Sequence, residues 1–111
     1  MTELSQMQCK PCEGGVEPLS AAEASEQLGR LAGGWQLDAS GTEIRKDFQF
    51  NGFYKTMAFV NAVAWIANTQ GHHPDLEVGY GHCLVRYTTH AIDGLSENDF
   101  IRAARIDELT I

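Results

Sequence analysis

At 111 residues the chain has room for one domain with a modest core, and its 43% hydrophobic fraction is ordinary for a globular protein. Fifteen acidic against eight basic side chains leave a formal charge of −7, which argues against a nucleic-acid or anionic-membrane surface, since both demand a positive face. The longest fully apolar run, Ala62 to Ala67, is far too short to span a bilayer.

Residues 1–18 read as a polar tail containing glycine and proline, and the folded domain is expected over residues 19–111. Met1 to Cys12 lack the apolar run of a signal peptide. Cys9 and Cys12 form a Cys-x-x-Cys pair, but no second pair at matching spacing supports a zinc site. With Cys83 they make three cysteines, an odd number that fits a reducing cytosol.

The first helix is expected over about residues 21–32. Ser20 and Glu23 form a capping box, Ala24, Leu28 and Leu31 an apolar stripe, and Gly33-Gly34 a stop. Trp35 to Asp38 alternates as a short strand, and Ala39-Ser40-Gly41 is the turn. Ile44, Phe48 and Phe50 alternate with polar residues as a second strand, which Lys46 interrupts on its apolar side as it would near an edge. Asn51 is the expected N-cap of the strongest helix, Phe53 to about Asn68. Phe53, Met57, Val60, Ala64 and Ala67 make one stripe on it, and Phe59, Val63 and Ile66 a second. Such a helix packs on the sheet with one face and on another helix or subunit with the other, and Trp65 is expected among the packing residues.

Gly71 suits a helix C-terminus, and Pro74 cannot continue a helix. His72 and His73 therefore lie on a tight corner that exposes their rings. Leu76, Val78 and Tyr80 then alternate as a strand, and Gly81-His82 is a plausible two-residue turn. Cys83, Val85, Tyr87 and Thr89 form the inward face of the next strand, with Leu84, Arg86, Thr88 and His90 on the other side. A turn on Gly81-His82 sets His90 opposite His73, whereas one on Tyr80-Gly81 sets it opposite Gly71; both return His90 to the corner. His82, at the far end, is expected in solvent. Ser96 to Asp99 is a second capping box, and Phe100, Ala103, Ala104 and Ile106 line a last helix that ends near Leu109. The order is α-β-β-α-β-β-α, an α+β layer in which helices cover a mainly antiparallel sheet.

Converged imidazoles suit general acid–base catalysis, because their ordinary pKa near 6.5 leaves both protonation states accessible at neutral pH. Metal ligation is the weaker alternative. Adjacent residues in an extended segment point to opposite sides, and no carboxylate or thiol stands at a supporting ligand spacing. No glycine-rich phosphate loop and no nucleophile–base pair is evident.

Gly71-His72-His73-Pro74-Asp75, Tyr80, Thr88-Thr89-His90 and Gly94-Leu95-Ser96-Glu97-Asn98-Asp99 together resemble the pterin-4a-carbinolamine dehydratases, from about Leu19 to Leu109. The resemblance implies a four-stranded antiparallel sheet with three helices on one face, in a homodimer or tetramer. It implies dehydration of 4a-hydroxytetrahydropterin to quinonoid dihydropterin in pterin recycling, with neither metal nor organic cofactor. His72 and His90 would transfer protons, and His73 would orient the pterin. Pro74, Thr88, Thr89 and Asp99 would line the pocket. The alternative for Asp99 is that it serves only as the third residue of its capping box. Where the family commonly carries glutamate, four positions before the first histidine, this chain has Asn68. Some relatives act instead as dimerisation or assembly cofactors, but those of the assembly type tend to lose the histidine pair.

Overall fold

The computed structural model describes Leu4 and residues 17–109. Three helices, α1 (Ala21–Leu28), α2 (Phe53–Gln70) and α3 (Glu97–Asp107), accompany four strands, β1 (Gln36–Leu37), β2 (Ile44–Gln49), β3 (Asp75–Val78) and β4 (His82–Tyr87). The strands form one antiparallel sheet in the order β1-β2-β4-β3. One face carries Ile44, Cys83, Val85 and Tyr87, all fully buried in a core shared with Phe59, Val63, Phe100 and Ile106 from the helices. This is the α+β layer that the alternation of residue types predicts.

Both capping boxes form, Ser20 with Glu23 on α1 and Ser96 with Asp99 on α3. Helix α1 is shorter than expected. After Leu28 the chain tightens at Gly29 into i→i+3 bonds, from the Arg30 N–H to the Gln27 carbonyl at 3.0 Å and from the Leu31 N–H to the Leu28 carbonyl at 3.1 Å. Leu31 still packs against the core, but from a turn. The N-cap of α2 is Gly52, not Asn51: the backbone there takes φ 116°, which favours glycine. Gly71 ends α2 in the left-handed conformation at φ 69°, as expected.

On α2 the buried set is Thr56, Phe59, Val63, Ile66 and Ala67, which favours the second stripe over the first. Trp65 is 69% exposed and Tyr54 91%, so within the chain Trp65 does not pack. Lys46 is not near an edge, because β2 is an interior strand. Its amine crosses the covered face instead, lies 4.7 Å from the Phe48 ring centre and reaches Asp107 Oδ1 at 2.8 Å. The Trp35 indole N–H donates to Asp107 Oδ2 at 2.8 Å, so one carboxylate ties both side chains to the end of α3.

The β3–β4 hairpin turns on Tyr80-Gly81, one residue earlier than Gly81-His82. Val78 pairs with Cys83 and Asp75 with Arg86, and the Gly79 N–H donates to the His82 carbonyl at 2.9 Å. Contacts from outside the hairpin select this register. The Thr56 hydroxyl donates to the Tyr80 carbonyl at 3.0 Å, the Phe50 N–H donates to the Gly81 carbonyl at 2.8 Å, and the Tyr80 ring stacks on Phe53. Cys83 is fully buried, as expected of a small hydrophobe, and burial pushes its thiol up to about 11 from an ordinary 9.0. The folded state thus holds the proton more tightly, and this contribution to stability is present below pH 9.0 and is lost as pH rises towards about 11. At neutral pH iodoacetamide should label Cys83 far more slowly in the native protein than in urea. Equal rates would contradict its burial.

Leu4 is 3% exposed and belongs to the core, so a residue from the expected tail contributes to the folded unit. Cys9 and Cys12 lie outside the described residues. No helix among the described residues is long and apolar enough to cross a membrane.

Candidate functional site

The corner expected at residues 71–75 is where the chain gathers its imidazoles. Gly71 stops α2, β3 begins at Asp75, and the two histidines between them part company. The His72 side chain is only 15% exposed, which corrects the expectation that both rings lie open. Its ring lies parallel to Tyr87, 5.7 Å between centres at 10°, and its Nε2 meets Asp99 Oδ1 at 2.7 Å. His73 is exposed, with its Nδ1 3.4 Å from the Pro74 carbonyl.

Asp99 sits in the first turn of α3 and is fully buried. Its Oδ2 accepts from the Thr89 hydroxyl at 2.8 Å and from the Ser96 N–H at 2.9 Å, while Oδ1 faces His72. The Ser96 hydroxyl lies 2.8 Å from the Thr89 hydroxyl. The carboxylate thus caps the N-terminus of α3 with one oxygen and offers the other to the imidazole as an acceptor. It in turn favours a proton on Nε2 of His72 and leaves Nδ1 as the accepting nitrogen. The capping role and the site role expected of Asp99 are therefore one arrangement: the same carboxylate starts the helix and holds the imidazole.

His90 reaches the corner by a different route from the one predicted. Strand β4 ends at Tyr87, and Thr89 forms an isolated bridge with Gly94. Residues His90–Ile92 make a 3-10 turn between those two anchors, so no ladder partner faces His90. The side chain is 73% exposed, and its Nε2 stands 3.8 Å from Asp75 Oδ2, two residues from His73. Thr88 donates to the Thr42 carbonyl at 2.6 Å, and Thr89 is buried against Asp99. These hydroxyls, expected to line the pocket, brace the loop that carries His90. Pro74 and His73 border an open groove of about 430 Å³ beside Val63, Ala67, Asn68 and Leu76. His82 is at the far end of the hairpin, as expected, where its Nδ1 lies 3.0 Å from Asp47 Oδ1. Sequence reasoning assigned Tyr87 and Ser96 to core and cap alone; their contacts with His72 and with Thr89 and Asp99 cross between elements and leave no local pattern.

Residues 17–109 match the family model described as pterin 4 alpha carbinolamine dehydratase. The chain belongs to this family. A candidate pterin-4-alpha-carbinolamine dehydratase of Nitrosomonas eutropha is 56% identical over 109 residues, covering 98% of this chain and 95% of that protein. A second, from Nitrosospira multiformis, is 59% identical over 107 residues, covering 96% and 92%. Among solved structures, the transcriptional coactivator/pterin dehydratase of Brucella melitensis superposes with a TM-score of 0.77 at 28% identity, over 82% of this chain and 96% of that one. A pterin dehydratase-like RuBisCO assembly factor of the alpha-carboxysome gives 0.58 at 24% identity, over 67% and 86%, a likeness of fold alone. In this member of the dehydratase family, the histidine corner and the Thr89–Gly94 loop stand together at one end of the sheet.

The loop also explains Gly94. A Cβ there would stand 2.6 Å from Pro18 Cβ, and the Leu19 N–H donates to the Leu95 carbonyl at 2.8 Å. Gly94→Ala forces this contact apart, an overpacking that costs about 1–3 kcal/mol. The expected result is a thermal midpoint lowered by roughly 5 °C or more. An unchanged midpoint would show that the segment before α1 yields freely.

Proposed function

We propose that the chain dehydrates 4a-hydroxytetrahydropterin to quinonoid dihydropterin and water, as part of tetrahydropterin recycling. The observation that carries this reading is the imidazole of His72 held by the buried Asp99 carboxylate at a corner shared with His73 and His90. Membership of the family supports it. In the reaction the C4a–O bond breaks, the N5 lone pair forms the C4a=N5 bond, and the proton on N5 leaves. The departing hydroxyl needs a proton, and N5 needs a base. There is no net oxidation, so one acid and one base suffice.

His72 and His90 are assigned to these two transfers. Nδ1 of His72 serves as the accepting nitrogen, set by Asp99 on the opposite side of the ring. His90, open to water, exchanges protons with solvent between turnovers. His73 and Pro74 orient the heterocycle along the groove that they border. Thr88, Thr89 and Asp99 act from behind as positioning residues, because their hydrogen bonds are already made within the protein. The reaction is placed in a reducing cytoplasm, in keeping with the unpaired Cys83.

The open face of α2, with Tyr54 and Trp65 outermost, is assigned to copies of the same chain in a dimer or tetramer. Light scattering that returns a monomer mass would contradict that assignment. For the activity itself, freshly generated 4a-hydroxytetrahydropterin is mixed with the wild-type protein. Its ultraviolet decay should accelerate in proportion to protein concentration. Decay at the buffer rate overturns the proposal.

A further inference from the structure

One polar side chain in the groove beside the histidine corner has no role in the mechanism above. Asn68, near the end of α2, faces this space of about 430 Å³ together with His73. The remaining side chains of the wall, Val63, Ala64, Ala67, Pro74 and Leu76, are apolar. The Asn68 carboxamide has no hydrogen-bond partner among the described residues. A mostly apolar concavity with a few convergent polar groups is the usual form of a small-molecule site, and this volume lies within the usual range of about 300–1,000 Å³.

We propose that Asn68 is a specificity-determining residue, whose carboxamide reads the pyrimidinone edge of the heterocycle; this rests on the pterin reading above. A pyrimidinone presents a ring N–H next to a ring carbonyl. A carboxamide presents an acceptor next to a donor, so the two edges can form a paired set of hydrogen bonds. The amide oxygen accepts the ring N–H, and the amide N–H donates to the ring carbonyl. With the pyrimidinone edge fixed on α2, the other end of the flat ring system is left towards the histidines.

The test is fluorescence titration of wild type, Asn68→Leu and Asn68→Ala with two ligands, pterin and 2-aminopteridine. The second lacks both the ring carbonyl and the adjacent N–H. Both substitutions should weaken pterin binding by about tenfold or more, the scale of two lost neutral hydrogen bonds. Affinity for 2-aminopteridine should change by less than about twofold, since it never made that pair. In turnover the same variants should raise KM with little change in kcat. Thermal midpoints should not move, because the side chain is exposed. Unchanged pterin affinity in Asn68→Leu overturns the inference, as does an equal loss for both ligands. If those results accompany normal wild-type dehydration, this inference alone falls. Wild-type protein that neither binds pterin nor accelerates dehydration overturns both.

Discussion

His72→Ala and His90→Ala are each expected to lower the dehydration rate by about 10²-fold or more, the scale of a general acid–base group. The two substitutions differ in what else they disturb. His90 is open to solvent and its imidazole reaches towards Asp75, so its removal should leave the thermal midpoint unchanged. His72 is nearly enclosed and satisfies one oxygen of a buried carboxylate. Its alanine variant should therefore lose about 1–3 kcal/mol of stability as well as activity. His72→Gln separates the two effects, because the amide can still donate to Asp99 but has no basic nitrogen. It should recover most of the stability and none of the rate. Stopped-flow decay of the 4a-hydroxypterin and a thermal melt on the same samples decide the matter. Normal turnover by both alanine variants would remove the histidines from the chemistry.

Asp99→Asn is expected to be as damaging to the rate, by a different route. The carboxylate accepts from Thr89 and Ser96 on one oxygen and faces His72 with the other. A carboxamide keeps the shape but must aim an N–H at one of those neighbours. If it turns its oxygen to Thr89 and Ser96, its N–H meets His72 and forces the imidazole into the other tautomer. The accepting nitrogen then faces the new carboxamide instead of the substrate. The expected loss is about 10²-fold or more in kcat, together with about 1–3 kcal/mol of stability. Heteronuclear NMR of the imidazole nitrogens reports the tautomer directly. A variant with the wild-type tautomer and wild-type kcat would reduce Asp99 to a helix cap.

Local chemistry was the most legible part of the chain. Gly71 could be read as the end of α2 because the left-handed backbone at φ 69° suits glycine, and both capping boxes follow from residue spacing alone. The strand faces follow from alternation, and Cys83, Val85 and Tyr87 are buried accordingly. What alternation cannot distinguish is the hairpin register. Turns on Tyr80-Gly81 and on Gly81-His82 keep the same residues inward, and the choice is made by Thr56 and Phe50 from outside the hairpin. Helix α2 poses a similar problem. It is apolar on more than one side, so its own pattern did not reveal that Phe59, Val63 and Ile66 would be buried and Trp65 left out.

The site was legible as a neighbourhood but not as a set of contacts. The return of His90 depended on the hairpin, and it occurs although the ladder stops at Tyr87. The Thr89–Gly94 bridge turns the chain out of the sheet, and that bridge pairs residues with no strand pattern. The link from Asp99 to His72 joins a helix start to a helix end across 27 residues. Each half had a sufficient local reading, a cap and a corner, and only packing joined them. Lys46 shows the same limit: a charge on an apolar face reads as an edge, yet its amine stands over the ring of Phe48 and meets Asp107.

A crystal structure of the protein with an unreactive pterin tests the central claim most directly. The expected result is a heterocycle seated at the corner of residues 71–75, with ring nitrogens or C4a within about 3–4 Å of the imidazoles of His72 and His90. A pterin seated instead against the exposed rings of Phe53 and Tyr80, or one that leaves these histidines untouched, would contradict the account.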